Sequence, residues 1–271
     1  MRHSSLIDDD QGFALVTALI LSLIVGGIAL MIQLGVRQTT SYANALEDDA
    51  QMKSALEAGL NRAISAYASS DDPMRAQLVA DGRPVHWQFE DKVLRLSVQA
   101  ESGKWDLNAA NRTQISSLLT ALFEDENFCS SVLDRIDSFR SSGQAIDTIE
   151  MVLSPLDRLS ARRRIIEDHF TTFTNQIGID PKTAPKETIE AIQGMPAIAK
   201  RELITQRSAD QPLTVNVQGD AVFVTEKPIY TFRAETEQGF GAVGAMSMLV
   251  AYPENRLFVV FSRERTVPRE E

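Results

Sequence analysis

The stretch that decides the fold runs from Phe13 to Ile32 and reads FALVTALILSLIVGGIALMI. It contains no charged side chain, and its hydroxyl groups are those of Thr17 and Ser22. A helix of about 20 apolar residues is long enough to cross the hydrocarbon core of a bilayer. In lipid, Thr and Ser hydroxyls can bond to carbonyl groups of their own helix. The run therefore predicts a transmembrane helix, whereas a helix buried in a protein core would normally show a polar stripe.

A short polar segment, MRHSSLIDDDQG, precedes this run, so that Gly12 stands directly before Phe13. An ordinary secretory signal is cleaved after its apolar stretch, at a site with small residues. Ala43-Asn44-Ala45 has that form, but it lies well beyond the apolar run, which is also longer than a usual signal. Cleavage near Ala45 stays an alternative to the interpretation of the run as a lasting helix.

The helical pattern continues beyond Arg37, because no proline occurs between Gly12 and Pro73. Apolar or small residues recur at three- and four-residue spacing, as expected for a helix that packs one face on a soluble domain. They are Tyr42, Ala45, Leu46, Met52, Ala55, Leu56, Leu60, Ala63, Ile64 and Tyr67. The sequence predicts that one helix leaves the membrane and ends near residues 69–73, SSDDP.

Two zones alternate as β-strands do: Val85 to Ala100, with a turn near Glu90, and Leu213 to Phe261. Between them, from about Asn108 to Ala209, apolar residues recur at helical spacing. We therefore predict an α+β fold, with a long pilin-like N-terminal helix on an antiparallel sheet and an all-helical domain inserted between strands. The expected divisions are 1–12, a leader; 13–72, the helix; 73–106, the first strands; 107–209, the insert; 210–262, the remaining strands; and 263–271, a tail.

Two segments of the insert resemble each other, Asp106 to Ala110 and Gly178 to Ala184. Each offers an Asn or Asp that can cap a following helix. After the second, Gly194-Met195-Pro196 would separate two helices in the manner of a helix-hairpin-helix turn. We interpret these segments first as structural caps and turns.

Composition excludes several classes of function. The net charge is −10 with a pI near 4.9, which argues against broad nucleic-acid affinity. Cys129 is the sole cysteine, so the chain forms no internal disulfide and no thiolate zinc site. Asp134, Asp137 and Asp147 do not form the dense oxygen cluster that calcium needs, so we predict no metal and no cofactor.

No catalytic residues are predicted either. The sequence lacks the G-x-S-x-G, P-loop and H-E-x-x-H motifs. Its histidines, His3, His86 and His169, fall in the leader, a strand and a helix end. We therefore expect a protein that is not an enzyme.

The glycine-terminated leader, the Phe-Ala-Leu start, the spanning run and the amphipathic continuation resemble type IV pilins and pseudopilins. This resemblance implies that a prepilin peptidase cuts between Gly12 and Phe13 and methylates the new amine. Most members carry a glutamate at the position of Thr17, where it neutralises the amine of a neighbouring subunit. Since a subunit without this glutamate cannot pair with the amine of the subunit above it, the resemblance places this chain at the tip.

The helical insert, with its Leu-Asn-x-Ala and Gly-Ile-Asp-x-x-x-Ala segments, resembles the protein K family of type II secretion minor pseudopilins. This resemblance implies a single-pass bacterial inner-membrane protein with its bulk in the periplasm. The implied role is to cap the pseudopilus tip and support assembly and protein export across the outer membrane. The implied partners are minor pseudopilins I and J, the major pseudopilin, prepilin peptidase and secreted substrates.

Two alternatives remain open. The hairpin segment also resembles that of membrane-anchored DNA-uptake receptors, whose backbone N–H groups and nearby cations hold phosphate. Its cations here are Lys182, Lys186, Lys200, Arg201 and Arg207, although proline replaces a second turn glycine. The other alternative is a minor pilin of a type IV pilus, against which the helical insert argues.

Overall fold

The computed structural model describes residues 9–157, 161–208, 227–236, 244–252 and 259–266. Within these ranges, no side chain is described for residues 9–14, 34–41, 45 and 259–266. The chain divides into two compact units, residues 1–52 and 53–271.

The long N-terminal helix, α1, extends from Asp9 to Ala68 over 60 residues. It begins upstream of the predicted start at Phe13 and ends before residue 72. The earlier end follows from the chain reversal at Asp72, whose carboxylate accepts hydrogen bonds from the Arg62 guanidinium (2.5 and 2.9 Å) and from the Met74 N–H (2.9 Å). This pairing fastens the connection back onto the last turns of the helix.

The main sheet has five strands in the order β1-β2-β5-β6-β7, and every pair is antiparallel. Its strands are β1 (Val85–Phe89), β2 (Lys92–Ala100), β5 (Ile229–Thr236), β6 (Ala245–Ala251) and β7 (Val259–Thr266). The predicted turn near Glu90 joins β1 to β2, and Glu90 adopts φ 54° there. The part of the second predicted strand zone that covers residues 213–226 lies outside the described residues.

The C-terminal part of α1 packs on β2 and β5. Leu56 and Leu60 are fully buried, as are Leu94 and Leu96 on β2. Gly59 permits close approach, because a Cβ at this position would lie 2.9 Å from the Leu96 side chain. Burying a leucine side chain stabilises the fold by about 1.5–3 kcal/mol, so this helix–sheet layer is a substantial core. The predicted α+β class is confirmed.

Between β2 and β5, the described residues form five α-helices and two 3-10 turns. The helices are α2 (Arg112–Leu122), α3 (Glu126–Ser142), α4 (Ala161–His169), α5 (Lys186–Glu190) and α6 (Ala197–Ser208), with 3-10 turns at Glu101–Gly103 and Ile149–Met151. The segment is not entirely helical, however. Strands β3 (Trp105–Asp106) and β4 (Phe170–Thr171) pair in parallel and form a separate two-stranded sheet. Each is too short to leave an alternating pattern in the sequence.

The helices of this segment enclose their own apolar core. Trp105 and Phe170, each 1% exposed, bring the small sheet into this core beside Ile115 and Leu118 of α2. Local caps fix the helix ends: Asn111 accepts from the Thr113 N–H at the start of α2, and Gly143 ends α3 with φ 71°.

Candidate assembly helix and helical hairpin

The apolar part of α1 is exposed along its whole described length. Leu15–Gln33 has a mean hydropathy of 2.7, and none of it is buried within the chain. Leu23 and Met31, for example, are 70% and 76% exposed. Among the described residues, this is the one helix long and apolar enough to cross a membrane. A core helix of a soluble protein would be buried, and the apolar region of a signal sequence is usually about 7–15 residues long.

The predicted processing residues, Gly12 and Phe13, lie within α1. Thr17 lies within the apolar segment, and its side chain is exposed. One turn further on, the Ser22 hydroxyl donates to the Ala18 carbonyl at 2.8 Å. This bond satisfies a polar group without a partner from outside the helix, as lipid requires. Cleavage after Gly12 and the role of Thr17 stay predictions.

The two similar segments of the insert form the same turn. At the first turn, the Asp106 carboxylate accepts a hydrogen bond from the Asn108 N–H (2.8 Å), and the backbone carbonyl of Asp106 accepts one from the Ala110 N–H (2.9 Å). At the second, the Asp180 carboxylate accepts from the Lys182 N–H (2.9 Å), and its carbonyl accepts from the Ala184 N–H (3.0 Å). Helix α2 or α5 begins shortly after each turn. An aspartate that bonds to the N–H two residues ahead forms an Asx turn, which explains the shared pattern.

Each turn also forms hydrogen bonds with residues that lie just before the other turn in the sequence. The fully buried Asp106 carboxylate accepts from the Thr174 N–H and hydroxyl, both at 3.0 Å, and from the Asn175 N–H at 2.7 Å. In the opposite direction, the Asp180 N–H donates to the Ser102 carbonyl at 2.7 Å. These long-range contacts were not predicted, because they join residues that are far apart in the sequence.

The predicted hairpin turn lies between α5 and α6. Gly194 has φ 79°, a left-handed conformation that glycine adopts without strain. Met195 is 6% exposed and belongs to the helical core, while Pro196 is exposed just before α6. The turn is held to α2, since the Gln193 N–H donates to the Gln114 side chain at 3.0 Å.

Two of the cations proposed for phosphate binding serve the hairpin itself. The Lys200 ammonium donates to the Glu190 carbonyl at 2.6 Å, and the Arg207 guanidinium donates to the Ala184 carbonyl. Burial lowers the pKa of both Lys200 and Arg207. Lys182 and Arg201 are exposed. Lys200 and Arg207 therefore bind backbone carbonyls of the hairpin segment itself, which weakens the DNA-uptake alternative.

A network of charges centred on the buried Arg233 joins the main sheet to α4. Arg233 on β5 is 5% exposed and donates to the Asp168 carboxylate at 2.8 Å, and its guanidinium lies 3.5 Å from Glu167. Arg164 of α4 pairs with Asp168 and with Glu235 of β5. Burial alone would raise the pKa of Asp168, but the charges of Arg233 and Arg164 outweigh it and lower that pKa. The network fixes α4 against the sheet through paired charges, as buried ions require.

The acidic residues considered for calcium are dispersed. Asp134 and Asp137 lie on α3, where Asp137 pairs with Arg112 at 2.7 Å, and Asp147 is exposed in the loop that follows. Across the described ranges, no group of three or more His, Cys, Asp or Glu side chains could hold a metal ion.

The sequence matches no protein-family profile and no curated protein. Among solved structures, it is similar to a chain of the GspK-GspI-GspJ complex from the enterotoxigenic Escherichia coli type 2 secretion system. The two chains share 12% identity with a TM-score of 0.47, and the alignment covers 86% of this chain and 99% of that one. A similarity this low assigns no function to the chain.

Proposed function

We propose that this chain is a minor pseudopilin of a bacterial type II secretion system, of the protein K kind. The observation that carries the proposal is α1 itself. One 60-residue helix bears an exposed apolar segment, Leu15–Gln33, and ends in a segment buried on an antiparallel sheet. The sequence around Gly12 and Phe13 adds a glycine-terminated leader directly before the apolar run. A subunit built this way can be held in the inner membrane before assembly and enter a filament through the same helix.

The proposed position is the tip of the pseudopilus, above minor pseudopilins I and J and the major pseudopilin. Thr17 supports this position, because it is uncharged in a segment that has no carboxylate between Leu15 and Gln33. An isolated charge in lipid costs several kcal/mol unless it is paired. A subunit without a carboxylate here cannot neutralise the amine of a subunit placed above it, so nothing is placed there. Prepilin peptidase would process the chain, and the bulk of it would lie in the periplasm.

Deletion and complementation in the native bacterium test this proposal. Without the chain, export of type II substrates should fall, and wild-type protein should restore it. Thr17→Glu should impair complementation, because the new carboxylate gains no partner at the tip. Thr17→Ser, which keeps the hydroxyl, is the matched control and should complement fully.

Two results would contradict the proposal. The first is unchanged secretion and pseudopilus length after deletion. The second is loss of DNA uptake together with normal secretion, which would favour the DNA-uptake alternative.

A further inference from the structure

The hairpin of α5 and α6 meets α4 through a buried histidine. His169 is the last residue of α4 and is 8% exposed. Its Nδ1 lies 2.9 Å from the hydroxyl oxygen of Thr188, which is fully buried on α5. This hydrogen bond joins α4 to α5, so the protonation state of one imidazole bears on how α5 is held.

The other side of the hairpin is fastened by groups that do not titrate. The Ser117 hydroxyl of α2 donates to the Ala191 carbonyl at 2.8 Å, and the Gln193 N–H donates to the Gln114 side chain at 3.0 Å. Neither bond depends on pH in the neutral or mildly acidic range. The α2 side is therefore a fixed edge, about which the α4 side can loosen.

Three charged groups face the imidazole from the elements packed around it. They are Asp168 on α4, Glu187 on α5 and Lys104 in the connection before β3. The two carboxylates favour a charged ring, while burial and Lys104 disfavour it. Burial is the largest influence and lowers the pKa of His169 below the value for a histidine in water.

We propose that His169 is an acid-sensitive latch that holds α5 closed against α4. A neutral ring shares one hydrogen with the Thr188 hydroxyl through Nδ1. When a proton from water adds to the ring, both nitrogens carry hydrogen, so Nδ1 can only donate to the Thr188 oxygen. The ring is then a cation in a nearly dry site, and it gains water only if α5 moves away.

The direction of the pH effect follows from this geometry. In the opened hairpin, His169 is in water and titrates near pH 6.5, the ordinary value. Because the closed state binds the proton less readily, the opened state takes up more protons as the pH falls. The closed hairpin is thus fully favoured above about pH 6.5 and loses stability below it. Opening would expose the buried apolar face of α5, including Ile189. The latch does not depend on a role in secretion.

Hydrogen exchange of the full-length protein in detergent micelles or nanodiscs tests the latch. We expect amide protection in residues 186–208 to fall between pH 7.5 and 5.0, after correction for intrinsic exchange. The fall should not exceed about tenfold per pH unit, the limit for one linked proton. Protection in β5 and β6 should stay constant. His169→Gln, which is neutral at every pH, should remove the pH dependence, and His86→Gln on β1 is the matched control that should keep it.

A parallel titration of the histidine NMR signals needs no variant at His169. The midpoint for His169 should lie below about pH 6.5, the ordinary histidine value, and coincide with the loss of protection in residues 186–208. The latch is overturned by constant protection in the wild type, by the same loss in His169→Gln, or by midpoints that do not coincide.

Discussion

Replacing Gly103 with alanine tests how the inserted segment is fastened to the sheet. Gly103 ends the 3-10 turn after β2, directly against the backbone of the second Asx turn. A Cβ at this position would lie 2.6 Å from the Thr183 carbonyl carbon, 2.7 Å from its oxygen and 2.8 Å from the Ala184 nitrogen. All three are backbone atoms, so the clash cannot be relieved by rotation of a side chain. The turn itself must move away.

The expected cost has three parts. Overpacking of this kind costs about 1–3 kcal/mol. Moving the turn also weakens the 2.7 Å hydrogen bond from the Asp180 N–H to the Ser102 carbonyl, worth about 1 kcal/mol. Alanine returns about 0.5–1 kcal/mol by reducing the entropy of the unfolded chain. We therefore expect Gly103→Ala to lower the free energy of unfolding by about 2 kcal/mol.

Urea unfolding of the full-length protein in mild detergent, followed by tryptophan fluorescence, measures this cost. Gly59→Ala is the comparison variant, because its Cβ would meet side-chain atoms rather than backbone, those of Leu96, Leu94 and Ala234 at 2.9, 3.0 and 3.3 Å. Alanine also gains about 1 kcal/mol of helix propensity there, so Gly59→Ala should cost clearly less than Gly103→Ala. A Gly103→Ala variant within about 0.5 kcal/mol of the wild type would refute the close approach of the two segments.

Three further predictions concern side-chain contacts that stabilise the fold. Asp106→Ala should lower the free energy of unfolding in urea by about 3 kcal/mol or more, because it leaves the N–H and hydroxyl donors of Thr174 buried and unpaired. Asp134→Ala, at an exposed position, should have little effect. Equal effects of the two variants would contradict the buried contacts of the Asp106 carboxylate. The pKa of Asp168 is lower in the folded protein than the ordinary aspartate pKa of about 3.9. Its carboxylate therefore stabilises the folded protein fully above about pH 3.9, and this stabilisation is lost as the pH falls further. The stability gap between wild type and Asp168→Asn should therefore narrow below about pH 4, and a gap that stays constant would contradict this. The Arg75 guanidinium lies 4.0 Å from the Tyr67 ring centroid, so a double-mutant cycle with Arg75→Ala and Tyr67→Leu should give a coupling of about 0.5–1 kcal/mol rather than zero.

The features that could be predicted from sequence are those with a local period. The apolar run from Phe13, the turn at Glu90 and the alternation of β5 and β6 each follow from neighbouring residues. The similarity of the two segments was also visible in the sequence, but the expected helix caps were wrong. Asn111, just beyond the first segment, caps α2, and Pro185 precedes α5 without a side-chain cap.

The missed features depend on contacts between distant residues. Nothing near Phe170 predicts a parallel partner at Trp105, and nothing near Asp106 predicts that its carboxylate reaches Thr174. The cations of the hairpin suggested phosphate binding for the same reason. The sequence does not show that the Lys200 ammonium binds the Glu190 carbonyl at the end of α5. Processing at Gly12 leaves no trace in the folded chain and stays a prediction.

The mature N-terminus tests the central proposal most directly. Protein extracted from membranes of the native bacterium can be measured by intact mass and by sequencing of its N-terminal peptide. We predict a chain that begins at N-methylated Phe13. A chain that keeps residues 1–12 in the presence of active prepilin peptidase, or one that begins at Ala43 or later, would contradict the assignment of α1 as the assembly helix of a pseudopilin.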